Sequence, residues 1–159
     1  MVKFVLDADA AIKLSKAGVL EALTSFVKCF ITKQVYQEVL KGKDKMYEDA
    51  FDIEGFVGKG KIAVLEVKAD NIEGLGVGEC SSLALFQKLK GDAIISDDRK
   101  FLSFLESRKI PFIISTDTIA LLSIKKFITK TKALHALENI RQSVREESYN
   151  SAKIIIGGK

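Results

Sequence analysis

The chain has 159 residues, of which 47% are hydrophobic and 29% charged, with a formal net charge of +4. This length suits one domain (1–159) around a single core, and the basic balance mildly favours a polyanionic partner. A disulfide scaffold is excluded by the two cysteines, Cys29 and Cys80, which sit in apolar stretches as expected of buried free thiols, and no apolar run approaches the length of a membrane span.

Val2–Leu6 reads as a buried strand that ends at Asp7, and its apolar run is too short for a signal peptide, which predicts a cytoplasmic protein. Helices follow over Ala10–Lys16 and Val19–Thr24, separated by Gly18, and Phe26–Ile31 is the next strand. Thr32 is an N-cap for a helix over Lys33–Leu40, Lys41–Lys45 is a polar break, and Tyr47–Phe56 resumes the helix. The alternation over Lys61–Val67 predicts a strand nearer the sheet edge. A glycine cluster, Gly74, Gly76 and Gly78, opens a helix over Glu79–Lys90.

Ala93–Ile95 is a short, fully apolar strand, and Ser96 leads from it to Asp97 and Asp98. A helix over Asp98–Ser107 and an edge strand over Ile110–Ile114 come next, with Pro111 tolerated near the strand start. Ser115 or Thr116 caps a helix through Ile124, and Thr129 or Thr131 caps a longer one through Glu147. The run Ile154-Ile155-Ile156 reads as a short extra strand or an oligomer contact. Strands alternating with helices predict a three-layer α/β/α fold on a mainly parallel five-stranded sheet.

Asp7, Glu38, Glu79 and Asp98 stand out by position. Singly, each has an ordinary structural reading: Asp7 and Asp98 as helix caps, Glu79 as a complement to a helix dipole, Glu38 as a partner of Lys33 or Lys41. Together they differ. Two parallel strands that end in aspartates bring carboxylates to one sheet edge, where ligands of open α/β sheets bind. Gathered carboxylates raise one another's pKa unless a cation neutralises them. Oxygen donors without nearby His or Cys suit Mg²⁺ or Mn²⁺, ions that activate water and neutralise a phosphoryl group in transfer. Lys41, Lys43, Lys45, Arg99 and Lys100 follow the acids and can meet a phosphate backbone.

Four segments resemble the PIN-domain nucleases in order and spacing: Phe4–Ile12 around Asp7, Val35–Val39 around Glu38, Gly78–Leu85 around Glu79, and Ile95–Phe101 around Asp98. The segments Ile110–Ile114 and Thr118–Leu122 follow the order of a compact, VapC-like prokaryotic branch. The resemblance covers residues 2–125 and leaves 126–159 as a C-terminal helical extension and tail. It implies metal-dependent hydrolysis of RNA, with Asp7, Glu38, Glu79 and Asp98 as the acid set. Asp7 and Asp98 are the leading metal ligands and Glu79 a further one. Glu38 orients the attacking water or holds a second ion, and Asp97 and Asp9 are auxiliary ligands. It further implies the toxin role of a toxin–antitoxin pair, with a cognate antitoxin and a homodimer as partners. A free-standing RNA-processing nuclease and a non-catalytic RNA- or protein-binding module are the alternatives.

Overall fold

Successive side chains of a strand point to opposite faces of the sheet, and here both faces are apolar. In the computed structural model, which describes residues 1–158, five strands form: β1 (Lys3–Leu6), β2 (Lys28–Thr32), β3 (Ile62–Leu65), β4 (Ala93–Ile95) and β5 (Phe112–Ile113). They make one parallel sheet in the order β3-β2-β1-β4-β5. Phe4, Leu6, Ala93 and Ile95 enter a larger core on one face, while the intervening Val5 and Ile94 enter a smaller core on the other.

The helices are α1 (Ala8–Ala17), α2 (Leu20–Phe26), α3 (Lys33–Asp44), α4 (Glu48–Gly58), α5 (Val77–Leu89), α6 (Arg99–Ser107), α7 (Ser115–Ile124), α8 (Lys130–Ile140) and α9 (Glu146–Gly157). Leu83, Leu85, Phe101 and Leu105 from α5 and α6 fill the smaller core, and the remaining helices cover the opposite face. The fold is therefore the three-layer α/β/α arrangement on a parallel sheet that the alternation of elements predicts. Among the described residues, no helix is long and apolar enough to cross a membrane. Cys29 and Cys80 are buried free thiols, and burial pushes the Cys29 thiol up to about 12.

β2 and β3 extend the sheet on one side of β1, and β4 and β5 on the other. The strand order thus reverses between β1 and β4, and clefts in open α/β sheets form beyond the carboxyl ends of the strands at such a reversal. Leu6 aligns with Ile95, and the Asp7 amide donates to the Ile95 carbonyl at 3.0 Å. The register thereby sets Asp7 beside the residues that lead from β4 to Asp98.

Three local expectations are corrected. The stretch Lys41–Lys45 is not a break: α3 runs through Asp44, and the chain turns only at Lys45 and Met46, the latter with φ +60°. Lysine is a good helix former, and at Gly42 a Cβ would lie 3.3 Å from both Ala50 and Tyr47, so the glycine admits α4 against α3 instead of ending the helix. Neither Ser115 nor Thr116 caps α7, whose N-cap is Ile114 without a side-chain bond. Finally, the long C-terminal helix is two. Thr129 Oγ1 accepts from the Lys132 amide at 3.1 Å and caps α8, which stops at Ile140; a 3₁₀ turn over Arg141–Ser143 and an extended Val144 then redirect the chain into α9.

The isoleucine run lies inside α9, which rules out the extra strand. Tyr149, Ala152 and Ile156 are buried at helical spacing, while Ile154 and Ile155 are exposed. Consecutive isoleucines imitate a strand locally, and only the stripe at i, i+3 and i+7 shows the helix. α8 packs on α1 and α7, and α9 on α7 and α8.

Candidate active site

Asp7 directly follows β1 and caps α1, its Oδ1 accepting from the Ala8 amide at 3.1 Å. Its Oδ2 accepts from the Ser96 hydroxyl at 3.0 Å. Ser96 is fully buried, and its Oγ in turn accepts from the Asp98 amide at 3.2 Å, so one hydroxyl ties the two strand-end acids together. Asp98 caps α6, with Oδ1 accepting from the Phe101 amide at 2.9 Å.

Glu79 lies in the first turn of α5 and reaches back to accept from the Gly76 amide at 2.8 Å, one half of a capping box. Glu38 comes from α3, whose cap, Thr32 Oγ1, accepts from the Val35 amide at 3.0 Å. Thr32 also shares a buried 2.7 Å hydrogen bond with Ser81 of α5, which fixes the helices carrying Glu38 and Glu79 against each other. A Cβ at Gly78 would sit 3.2 Å from Glu38 Oε2, so the glycine lets that carboxylate lie against the first turn of α5. The four acids line one cleft of about 830 Å³ together with Lys41 and Arg99.

A family model described as a PIN domain matches residues 3–155 of the chain. The chain belongs to the PIN-domain family. No curated protein matches it. A PIN domain is a nuclease fold, and such domains generally use divalent metal ions and act on RNA. The match continues past residue 125, where the resemblance of the acid motifs stops, and takes in α8 and most of α9.

Charge divides the acids of this PIN domain into two groups. Asp9 and Asp97 both meet Lys13, at 2.9 and 3.2 Å. Burial works against the Lys13 ammonium, but its bonds to Asp9 and Asp97 outweigh that and raise its pKa. Asp97 is further held by Ser115, whose amide donates to Oδ1 at 2.8 Å and whose hydroxyl donates to Oδ2 at 2.6 Å. By contrast, Asp7, Glu38, Glu79 and Asp98 make no ion pair among the described residues.

The consequence is an unsatisfied negative field. Asp7, 7% exposed, is pushed from 3.8 to about 6, first by burial and then by the charges of Glu79 and Glu38, against the pull of its hydrogen bonds from Ser96 and Ala8. Glu79 is raised by burial and by the neighbouring Asp98 carboxylate. The donor set is carboxylate oxygen throughout, which fits a hard divalent cation rather than Zn²⁺. Among the described residues, no three His, Cys, Asp or Glu side chains are already gathered tightly enough to hold one ion. Each of Asp7, Glu79 and Asp98 is instead turned toward the backbone amides of its own helix start.

Sequence reading found the acids of the cleft and one support, the Thr32 cap of α3, but not the others. Ser96 as the link between Asp7 and Asp98 depends on strand register, whereas the Asp9–Lys13 pair was visible as an i, i+4 spacing. Gly78→Ala is expected to leave the melting temperature unchanged or slightly raised, because Ala is the better helix former. It pushes Glu38 aside by a few tenths of an ångström. RNA cleavage is expected to drop about tenfold, since misplacement near 1 Å costs about 100-fold; a steady-state assay beside a thermal melt checks both.

Proposed function

We propose that this PIN domain is a metal-dependent endoribonuclease that hydrolyses RNA phosphodiester bonds. The observation that carries the reading is the group of four carboxylates around one cleft, none with a cationic partner among the described residues. Asp7, Glu79 and Asp98 are the residues to hold Mg²⁺ or Mn²⁺. When bound, the ion neutralises charge on the phosphoryl group and acidifies water. Glu38, against the first turn of α5, orients the attacking water, and Lys41 and Arg99 bind the backbone of the strand being cut. Ser96 holds Asp7 and the start of α6 in place, and Lys13 pairs with Asp9 and Asp97 beside the site. In the net reaction water adds across one P–O bond: its oxygen joins phosphorus, and a proton reaches the departing oxygen.

The segments Ile110–Ile114 and Thr118–Leu122, which follow the order of the VapC-like branch, support the toxin role. A neighbouring gene for a small partner protein is expected; its absence points to a free-standing processing nuclease that uses the same site. The decisive test is cleavage of an RNA panel with Mn²⁺ by the wild type, Asp7→Asn and Asp98→Asn. Mn²⁺-dependent cutting by the wild type alone supports the reading, and equal traces in all three proteins sink it.

A further inference from the structure

A second, smaller pocket of about 150 Å³ adjoins the acid cleft and shares Asp97 and Arg99 with it. Its walls come from elements far apart in sequence: Lys13 of α1, Arg99 of α6, Thr116 of α7, and Arg145 and Ser148 at the start of α9. Three cations face a single carboxylate, Asp97, so the lining is net positive beside a cleft that is net negative. Beyond it, a shallower surface continues past Arg99 and Arg145 to Asn150, with Glu146 and Glu147 exposed on its rim.

Two further observations point to a ligand. Thr116 is 1% exposed, lines this pocket, and its buried Oγ1 has no hydrogen-bond partner among the described residues. A buried hydroxyl without a partner costs about 1–3 kcal/mol, which an oxyanion accepting from it would recover. In addition, α9 begins at this pocket with no side-chain cap on its first-turn amides. Arg99 makes no ion pair among the described residues, and Arg145 meets only the exposed Glu147, at 3.7 Å.

We propose that this pocket is a phosphate subsite, which holds a backbone phosphate of the RNA strand flanking the bond at the acid cleft. The assignment rests on the nuclease reading above for the identity of the strand. Arg99 stands between the two clefts and sets the path of the backbone from one to the other. Arg145 and the start of α9 close the subsite, so the C-terminal helix, remote in sequence from every acid, contributes to RNA binding. Lys13 is engaged by Asp9 and Asp97, so Arg99 and Arg145 supply the positive charge of the subsite.

The test is binding of a fluorescent, unstructured oligoribonucleotide in EDTA, followed by anisotropy over a series of salt concentrations. Each phosphate contact on a single strand contributes about 0.7 to the slope of log affinity against log salt. Arg145→Ala is expected to weaken binding about fivefold and to lower that slope by about 0.7. Thr116→Val is expected to weaken binding about threefold with the slope unchanged, because a hydroxyl displaces no counterion, while its melting temperature holds or rises. Lys28→Ala, on β2 and outside both pockets, is the control. Wild-type affinity and slope in both Arg145→Ala and Thr116→Val overturn the subsite, as does a wild type that binds no RNA. Binding that depends on Arg145 in a protein that never cuts RNA upholds the subsite and overturns the nuclease reading alone.

Discussion

Asp7→Asn is expected to make the metal-free protein more stable at pH 8, by up to about 3 kcal/mol, and to abolish its response to Mn²⁺. The Asp7 carboxyl is raised in the fold from 3.8 to about 6. Below pH 3.8 it is protonated in both folded and unfolded chains and contributes no pH dependence. Between 3.8 and about 6 the folded chain keeps a proton that the unfolded chain has lost, so stability falls as pH rises through this window. Above about 6 the buried charge carries its full penalty, roughly two pKa units at 1.36 kcal/mol each. Asn is neutral, of equal size, and still accepts from the Ala8 amide. Urea unfolding in EDTA at pH 4 and pH 8 checks this: the variant's advantage is expected at pH 8 and should shrink toward zero at pH 4. With Mn²⁺ at about one thousand times its Kd the order reverses, because an ion bound only by the folded wild type then stabilises it by about 4.1 kcal/mol. Equal stabilities at pH 8 in EDTA would rule out a penalised Asp7.

Asp98 separates capping from chemistry. Asp98→Asn keeps a side-chain oxygen for the Phe101 amide, and Asn is as good an N-cap as Asp, so stability is expected to stay within about 0.5 kcal/mol. Asp98→Ala loses the cap and about 1 kcal/mol with it. Both variants lose a carboxylate from the cleft, and both are expected to lose at least about 100-fold in Mn²⁺-dependent cleavage, near 2.7 kcal/mol of barrier. The neighbouring Asp97→Ala is expected to do the opposite. It strips Ser115 of its acceptor, leaves Lys13 with Asp9 alone and costs stability, while Mn²⁺ binding persists. Melting curves and cleavage rates on the same three variants check the split; a stable Asp98→Asn that cuts RNA at the wild-type rate would remove Asp98 from the metal set.

The two aspartates at the end of β4 look equivalent in sequence, and their difference comes from the partner each finds. Asp97 turns toward the start of α7, eighteen residues on, where Ser115 and Lys13 use both of its oxygens. Asp98 faces the cleft as the cap of α6. A sequence shows that both positions follow a buried strand, but not which one meets Lys13, because that contact joins α1 to the far side of β4. Ser96 is similar: its place at the strand end was legible, its bonds to Asp7 and the Asp98 amide were not. The C-terminal misreading has another source. Three consecutive isoleucines satisfy a strand pattern over a short window, and the deciding stripe through Tyr149 and Ile156 needs α7 and α8 as its partners.

What this sequence determined by itself is the part written in local pattern. The five apolar runs are strands because both of their faces are apolar, and the acids mark the strand ends and helix starts because carboxylates accept from unpaired amides there. What only the tertiary structure decided is how those acids are electrostatically sorted. Lys13 pairs with two of them, and burial with mutual repulsion leaves Asp7 and Glu79 raised beside Glu38 and Asp98. The return of α9 beside Arg99 to form a basic pocket is likewise a matter of packing. Coulomb energy depends on distance through space, and the distances that matter here are set by the parallel pairing of β1 with β4 and by the docking of α9 on α7, which no local pattern encodes.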